Sequence, residues 1–338
     1  MTIANSINND FSSSYSYNQL DASFAPIDWQ APWLAHINQL SYLSATIKQL
    51  SDANANVNKA DKQLANTASL DTQIDVIAKV LNTALKWQSE DCQTPLPTTQ
   101  PIEDNQDYRL KFVSQNALPE GIGYEQFIGS TGKIPTRDNL HDLFSGSIWL
   151  TFPKTKALLN YYHMLEIAAC HEDGKGARRG RVRDTITVFD ENGAILVTAD
   201  PNIGEALINF DWQASLVVPR DKWDNPKKRD THSQAAVYIF GHALLEQLIQ
   251  PRKPLCAHSV VINVAADFFA LSLPERISYL DDQLVIYMDK LLSKHDITPR
   301  QLAPLPILGV PHFWSENADP RFYDDSYVFR SGRRKPSK

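Results

Sequence analysis

Residues 185–197 read TITVFDENGAILV, and this stretch decides the fold prediction. Two short runs of β-branched and apolar residues, 185–188 and 194–197, flank the sequence DENG at 190–193. Asn and Gly readily adopt the positive φ angles that a tight hairpin turn needs. The stretch therefore predicts a two-stranded β-hairpin. Because an isolated hairpin is only marginally stable in water, we expect it to pack against helices or to join a larger sheet.

The residues before this stretch predict two helices that would cover it. Asp138 or Asn139 is a suitable N-cap for the first helix, whose apolar residues recur at helical spacing up to Phe152. Pro153 is typical of the first turn of a second helix with its own apolar stripe. Further helices are predicted to end near residue 50 and to cover residues 71–88, 202–210, 212–218, 234–250 and 272–294, and strands are predicted over 109–115 and 259–265.

These patterns predict one mainly helical α+β domain with a small sheet built on one β-hairpin. Residues 302–311 read LAPLPILGVP, and their prolines exclude a helix and predict an extended C-terminal strap over the body. The chain then divides into a disordered N-terminal arm (1–26), a helical segment with an Asn-rich insertion and a Pro-rich linker (27–107), a core domain (108–330) and a basic disordered tail (331–338).

Composition limits the classes of function. The chain has 338 residues and a net charge of −6, which argues against general coating of duplex nucleic acid, and it carries no DNA-binding motif. Its three cysteines, Cys92, Cys170 and Cys256, are far apart and form no CxxC pair, so a disulfide framework or a cysteine zinc site is not indicated. The first twenty residues lack an apolar run, and no stretch is long and apolar enough to span a bilayer. We expect a soluble cytoplasmic protein, and the oligomeric state is left open.

The first predicted site lies at the start of the helix after Asn139. Arg137, Asp138, His141 and Asp142 would lie together at that helix N-terminus. The positive helix end favours anions and is expected to lower the pKa of His141, which would place a neutral imidazole beside a charged carboxylate. Such a pair could bind a metal or transfer a proton. The alternative is that Asp138 caps the helix and that the negative charge of Asp142 interacts favourably with the positive end of the helix dipole.

Two further His–acid pairs have helical spacing. His163 and Glu166 stand three apart, and a surface pair explains them more simply than a metal site. His242 and Glu246 stand four apart inside the helix predicted over 234–250, where a satisfied surface or core pair is the simpler interpretation and a functional role for His242 is the alternative. Gly241 next to them costs about 1 kcal/mol against alanine in a helix, which suggests a close contact with another helix or a backbone near a ligand.

An arginine-rich turn precedes the predicted hairpin. Its glycines are spaced GxGxxxG and a strand is predicted to follow, so the dinucleotide fingerprint and the phosphate-binding loop are both excluded. Arginine forks suit phosphate or carboxylate, so the turn could bind an anion. The alternative is a solvated turn whose arginines pair with nearby acids.

The candidate residues fall into three roles. A divalent metal is one candidate cofactor, for which Asp324 and Asp325 near the end of the strap are further ligands. The catalytic candidates are His141, Asp142 and His242, the substrate-binding candidates are Arg137, Arg178, Arg179, Arg181 and Arg183, and the metal-binding candidates are Asp138, Asp324 and Asp325.

Five sequence blocks resemble one bacterial family. They are TRDNLHDLF at 136–144, RD at 183–184 with FDENG at 189–193, FGHAL at 240–244, PLPILGVP at 304–311 and FYDD at 322–325. Blocks of this kind in this order resemble the family catalogued as domain of unknown function 3025, over residues 108–330. The resemblance implies no activity, cofactor or catalytic residue. The N-terminal arm and the Asn-rich insertion are particular to this chain.

Two classes of function fit these observations. The first is an enzyme, in one form a metal-dependent hydrolase, that acts on a phosphate-bearing or other anionic small molecule and in which the candidate residues converge. The second is a non-catalytic binding or assembly protein, RNA-associated in one form, whose basic turn contacts backbone phosphates. No nucleophile elbow, catalytic-cysteine signature or cofactor fingerprint decides between them.

Overall fold

The structure is a computed structural model. Several predictions lie outside the residues it describes: the N-terminal arm, the helix ending near residue 50, the Asn-rich insertion, the Pro-rich linker, the end of the basic tail, and the roles of Arg178 and Arg179. The described residues are 27–37, 75–91, 110–172, 180–228, 230–294 and 296–332, with the backbone alone for 87–91 and 170–172.

Helices make up most of the described chain, which confirms the mainly helical α+β class. They are α1 (Val76–Asp91), α2 (Tyr124–Thr131), α3 (Leu140–Thr151), α4 (Pro153–Glu172), α5 (Arg181–Asn192), α6 (Pro201–Ile208), α7 (His242–Gln247) and α8 (Leu273–Leu292). Among the described residues, none of these helices has the length and apolar character that crossing a bilayer needs.

A four-stranded mixed sheet lies at the centre of the fold. Strand β3 (Gly193–Thr198) is buried along its whole length and pairs parallel with β5 (Cys256–Asn263). On its other side it pairs antiparallel with β4 (Ala235–Ile239), while β5 pairs antiparallel with β6 (Ala303–Pro306). Strands β1 (Lys111–Ser114) and β2 (Lys133–Thr136) form a separate two-stranded parallel sheet.

The predicted hairpin is wrong. Residues 185–188 lie in α5, and α5 passes into β3 with no loop between them. Ile186 and Phe189 are buried on one face of this helix, so tertiary packing outweighs the β preference of its Thr, Ile and Val residues. Gly193 has φ −77°, so it makes no positive-φ turn, and β3 finds its antiparallel partner in β4 instead.

The helix predicted over 234–250 is also wrong in its first half. Residues 235–239 form β4, and only His242–Gln247 is helical. The sequence AAVYI is buried at every position, and such a continuous apolar run suits a strand covered on both faces as well as it suits a helix.

The two ends of the described chain pack onto this body. Residues 27–37 contribute Ile27, Trp33 and Leu34 to the main apolar core. The C-terminal strap is extended only through β6, and beyond it the backbone runs through short 3₁₀ turns. Its aromatic residues Phe313, Phe322, Tyr323 and Phe329 are buried and hold it in place.

Candidate metal centre

Three side chains that could bind a metal converge at one point. They are His141 in the first turn of α3, Glu191 near the end of α5, and His242, the first residue of α7. The Nε2 atoms of the two histidines lie 3.0 Å apart, and Nε2 of His242 lies 3.4 Å from Oε2 of Glu191. One ligand atom from each residue lies within 4.8 Å of the other two. This is the one such group of three among the described residues.

Local backbone structure brings these side chains together. The side chain of Asn139 accepts a hydrogen bond from the backbone N–H of Asp142 and so starts α3 immediately before His141. The N–H of Gly241 donates to the carbonyl of Gly193 over 2.8 Å, which holds the start of α7 against the end of α5. A Cβ on Gly241 would lie 2.5 Å from the carbonyl oxygen of Glu191, so only glycine permits this approach. The sequence prediction of a close contact at Gly241 is thus confirmed, with backbone as the neighbour.

A carboxylate faces the other ring nitrogen of each histidine. Nδ1 of His141 hydrogen-bonds Oε2 of Glu246 at 3.1 Å. Nδ1 of His242 lies 3.8 Å from Oδ2 of Asp190, too far for a hydrogen bond, and it has no hydrogen-bond partner. The other oxygen of Asp190 accepts from Nζ of the buried Lys156 at 2.6 Å. Metal-binding histidines commonly have a carboxylate in this position, where it fixes the tautomer and the orientation of the ring.

The two histidines have opposite electrostatic environments. The hydrogen bond with Glu246 raises the pKa of His141, against the opposing effect of burial. The prediction that a helix N-terminus would lower this pKa is therefore wrong, because the carboxylates of Glu246, Glu191 and Asp142 raise it. Burial lowers the pKa of His242 to about 4. Burial also raises the pKa of Glu191. His242 is thus neutral near pH 7, with a lone pair free for a metal or for a proton from His141.

A polar seam leads away from this centre between α4 and α5, and it consists of Lys156, His163, Arg183 and Asp190. The two helices run antiparallel, with Lys156 bonded to Asp190 and the charge of Arg183 acting on His163. The neighbouring Asn160 of α4 instead faces α2, where its Nδ2 donates to Glu125. Within the described chain, five buried polar side-chain atoms have no hydrogen-bond partner, and four of them are Asn160 Oδ1, His163 Nδ1, Arg183 Nε and His242 Nδ1. Such atoms are rare in folded proteins, and each calls for an explanation such as a bound water or ion.

The other predicted site residues have structural partners. Asp142 binds Arg137 through both oxygens and also accepts from the backbone N–H of Arg137, so it does not join the histidines. Asp138 accepts from the backbone N–H of Ile77 and caps α1 rather than α3. The hydrogen bonds of Asp138 and Asp142 therefore assign both carboxylates a structural role rather than a role in metal binding.

The aspartates of the strap are likewise not part of the centre. Asp325 pairs with Lys253 at 3.3 Å, and Asp324 is exposed. Neither belongs to a group of metal-binding side chains among the described residues.

Arg181 and Arg183, the two arginines of the turn that the structure describes, form no hydrogen bond with His141. In the described part of the chain, His141 makes hydrogen bonds with Glu246 and His242 and with no arginine. Arg181 is exposed, while Arg183 is half-buried in the polar seam. Arg179 lies outside the described residues, and the anion-binding role expected for the arginines of this turn stays a prediction.

The HxxE pair has two separate roles. His163 is buried in the polar seam, and the carboxylate of Glu166 lies against Gly180, the residue that caps α5. The pair is therefore not the exposed surface pair that the spacing favoured. A negative charge at this position complements the positive end of α5.

Sequence reasoning missed Glu191, Asp190 and Lys156. It placed both acids in a hairpin turn, where they would have been solvated. The helical spacing of Ile186 and Phe189 is the signal that would have placed Asp190 and Glu191 on a helix. The mutual approach of His141, Glu191 and His242 has no local signal, because each comes from a different helix.

Comparison with known proteins agrees with the sequence blocks described above. A model of the family described as "Protein of unknown function (DUF3025)" matches residues 110–333. No curated protein and no solved structure matches the chain. Every residue of the candidate centre lies inside the matched region. Since the match covers well over half of its length, the chain belongs to the DUF3025 family.

Proposed function

We propose that this protein is a metal-dependent hydrolase of anionic substrates, in which His141, Glu191 and His242 hold one divalent ion. The convergence of two imidazole nitrogens and one carboxylate is the observation that carries the proposal. Two imidazoles and a carboxylate suit zinc, and a site with three protein ligands keeps a fourth position for water.

The distances support a metal of ordinary size. Zinc lies about 2.0 to 2.1 Å from imidazole nitrogen, so two of its ligand atoms are separated by about 2.9 Å at a right angle and about 3.4 Å at the tetrahedral angle. The nitrogens of His141 and His242 are 3.0 Å apart, and the separation of His242 from Glu191 is 3.4 Å. Both observed distances match the expected separations of zinc ligands, so an ion would enter with only small movements of the side chains.

The surrounding charges also favour a cation. The carboxylates of Asp190, Glu191 and Glu246 face the two histidines, and Lys156 is the cation bonded to this group. A divalent ion would balance the remaining negative charge. Glu246 and Asp190 would then accept from the Nδ1–H groups of the two rings and leave both Nε2 lone pairs for the metal.

With zinc in this site, hydrolysis needs no further cofactor, whereas the same ligands with iron(II) would suit oxygen chemistry. A zinc ion lowers the pKa of its bound water to about 7, which supplies hydroxide at neutral pH. An ion held by His141, Glu191 and His242 would supply a hydroxide able to form a bond to the phosphorus or carbonyl carbon of the substrate as the bond to the leaving group breaks, and the leaving group would depart with the proton given up by the water.

The environment of Arg183 supports the proposal that the substrate is anionic. Arg183 is half-buried, and within the described residues it makes no ion pair or hydrogen bond, although a buried charge is ordinarily paired. Arg183 and Glu191 are eight residues apart on α5, or roughly 12 Å along the helix axis. The guanidinium could therefore bind a phosphate or carboxylate group of a molecule whose reacting bond lies at the metal.

The proposal is tested first by metal content. Protein purified without chelator is analysed for metal, stripped, and titrated with zinc, iron(II), manganese and magnesium while its thermal stability is followed. We expect about one equivalent of zinc for the wild type and loss of this binding in His141→Ala and Glu191→Gln. His232→Ala is the matched control, because His232 is exposed and lies outside the centre.

Ligand binding to the folded state raises stability by about 4 kcal/mol at 1,000 times the dissociation constant. Wild-type protein that holds no metal and gains no stability from any of the four ions would overturn the metal centre. The histidines would then be a hydrogen-bonded pair in a non-catalytic binding protein.

Hydrolysis is tested with the zinc-loaded protein on phosphomonoesters, phosphodiesters and carboxylate-bearing esters and amides. We expect turnover that Glu191→Gln abolishes and that Arg183→Gln weakens at least tenfold in kcat/KM. Equal turnover of neutral and anionic substrates would overturn the anionic class. Stoichiometric metal without hydrolysis of any compound in the panel would overturn the reaction and leave the metal centre standing.

A further inference from the structure

A cavity of about 120 Å³ lies beside the edge strand β4, outside the candidate metal centre. It is enclosed by β4, by the segment around Pro32 and by the start of α8. Its walls are mostly apolar and include Pro32, Trp223, Val237, Leu271, Val310 and Phe313. One water needs a space of about 10 to 15 Å³, so this cavity has room for a ring-sized organic molecule.

One polar group in this cavity lacks a well-aligned partner. Tyr238 is 5% exposed, and its buried hydroxyl forms no well-aligned hydrogen bond, although the guanidinium of Arg276 is close enough to interact with it. Three of the five N–H donors of Arg276 go to the carbonyls of Leu271 and Phe269 and to the carboxylate of Asp224, so the contact of Arg276 with the Tyr238 hydroxyl is the weaker one. A buried hydroxyl without a well-aligned partner is costly, and a ligand with a hydrogen-bond acceptor would remove that cost.

The charges on the cavity wall cancel. Arg276 and Asp224 form a buried ion pair with a distance of 3.0 Å, and Ser233 donates to the other oxygen of Asp224. Burial raises the pKa of Asp224, so a further negative charge nearby would be unfavourable. A positively charged ligand would compete with Arg276 for the carboxylate of Asp224. The cavity is therefore suited to an uncharged molecule.

We propose that this cavity binds a small neutral heteroaromatic ring of the nucleobase type. Trp223 and Phe313 offer flat apolar surfaces for the ring faces. A nucleobase edge has an acceptor and a donor side by side, which match the hydroxyl of Tyr238 and the remaining lone pairs of Asp224. Small-molecule sites commonly combine apolar walls with a few polar groups of this kind.

The experiment is a calorimetric titration of the full chain with uracil, cytosine, adenine and hypoxanthine, with benzene and phenol as rings of different polarity. We expect at least one nucleobase to bind in the micromolar to millimolar range and benzene to bind more weakly. Tyr238→Phe removes the hydroxyl with little change of shape and should weaken nucleobase binding at least tenfold. Tyr162→Phe is the matched control, because the hydroxyl of Tyr162 binds Asp289 away from the cavity.

A second variant tests the location. Ala236 lines the cavity, so Ala236→Leu should fill it and abolish binding. If that variant fails to fold, Tyr238→Phe still decides. The proposal is overturned if no nucleobase binds at millimolar concentration, or if Tyr238→Phe and Tyr162→Phe bind equally well. His141→Ala should leave binding unchanged, since the cavity and the metal centre share no residue.

Discussion

Gly241→Ala should be among the most damaging small substitutions in this protein. The added Cβ would lie 2.5 Å from the carbonyl oxygen of Glu191 and 2.6 Å from the Cα of Asn192, and closer still to the nitrogen of Gly193. All three neighbours are backbone atoms at the junction of α5 and β3, so no side chain can rotate to make room. The strain must be relieved by separating α7 from this junction.

The loss of unfolding free energy can be estimated from the steric overlap of the added Cβ with these backbone atoms. Overpacking a folded interior typically costs about 1 to 3 kcal/mol, and the rigid backbone neighbours of Gly241 place this substitution at the upper end, about 3 kcal/mol. The conformation itself adds no strain, because φ at Gly241 is −68°. The junction carries Glu191, so the substitution should also weaken metal binding.

Gly123→Ala is a closely matched control. Gly123 is also the N-cap of a helix, with φ −67°, and a Cβ there would meet its nearest neighbour at 3.9 Å. The loss of unfolded-state entropy and the change of cap residue are therefore similar in both variants and cancel in the comparison. Both are measured by urea denaturation followed by circular dichroism and tryptophan fluorescence. A free energy of unfolding for Gly241→Ala within about 1 kcal/mol of that for Gly123→Ala would refute the packing argument.

Two other predictions concern buried polar groups. Burial lowers the pKa of His36 from 6.5 to about 4, so the stability that its neutral form contributes is complete above pH 6.5 and is lost as the pH falls towards 4. Over this range, the free energy of unfolding should drop by about 3 kcal/mol more in the wild type than in His36→Gln. Parallel pH profiles of the two proteins would contradict this prediction. Asp281 of α8 accepts hydrogen bonds from the backbone N–H groups of Lys154 and Thr155 and from the Thr155 hydroxyl, and so caps α4 from another helix. Asp281→Ala should lower the free energy of unfolding by about 3 kcal/mol, since it leaves these donors unpaired. The control Asp282→Ala, which removes the exposed neighbouring carboxylate, should cost less than about 1 kcal/mol. Equal losses of the two variants in urea denaturation would count against the capping role.

Elements with local signals were predicted well. Ser272, Pro274 and Glu275 specify the start of α8 within four residues, and the structure contains the capping box that they form. Asn139 likewise starts α3 by an interaction that spans three residues. Such signals can be read from sequence because the interacting groups are neighbours in the chain.

The candidate metal centre could not be predicted from local sequence signals. The sequence named His141 and His242 as candidates, but nothing in it relates residues that are 101 positions apart. The pKa of His141 was predicted from its own helix, whereas Glu246, 105 positions away, decides its direction. Charges act through space, so only the folded chain determines which of them are close enough to matter.

The sequence by itself determined the mainly helical class, the starts of α3, α4, α6 and α8, and the family. The tertiary structure decided the stretch at residues 185–197. Its β-branched residues favour strands locally, yet Ile186 and Phe189 become helical because burial on one face and the Lys156–Asp190 ion pair stabilise α5. That choice of helix over hairpin also places Glu191 beside His141 and His242, because packing energy summed over many distant contacts exceeds a local preference of a few tenths of a kcal/mol per residue.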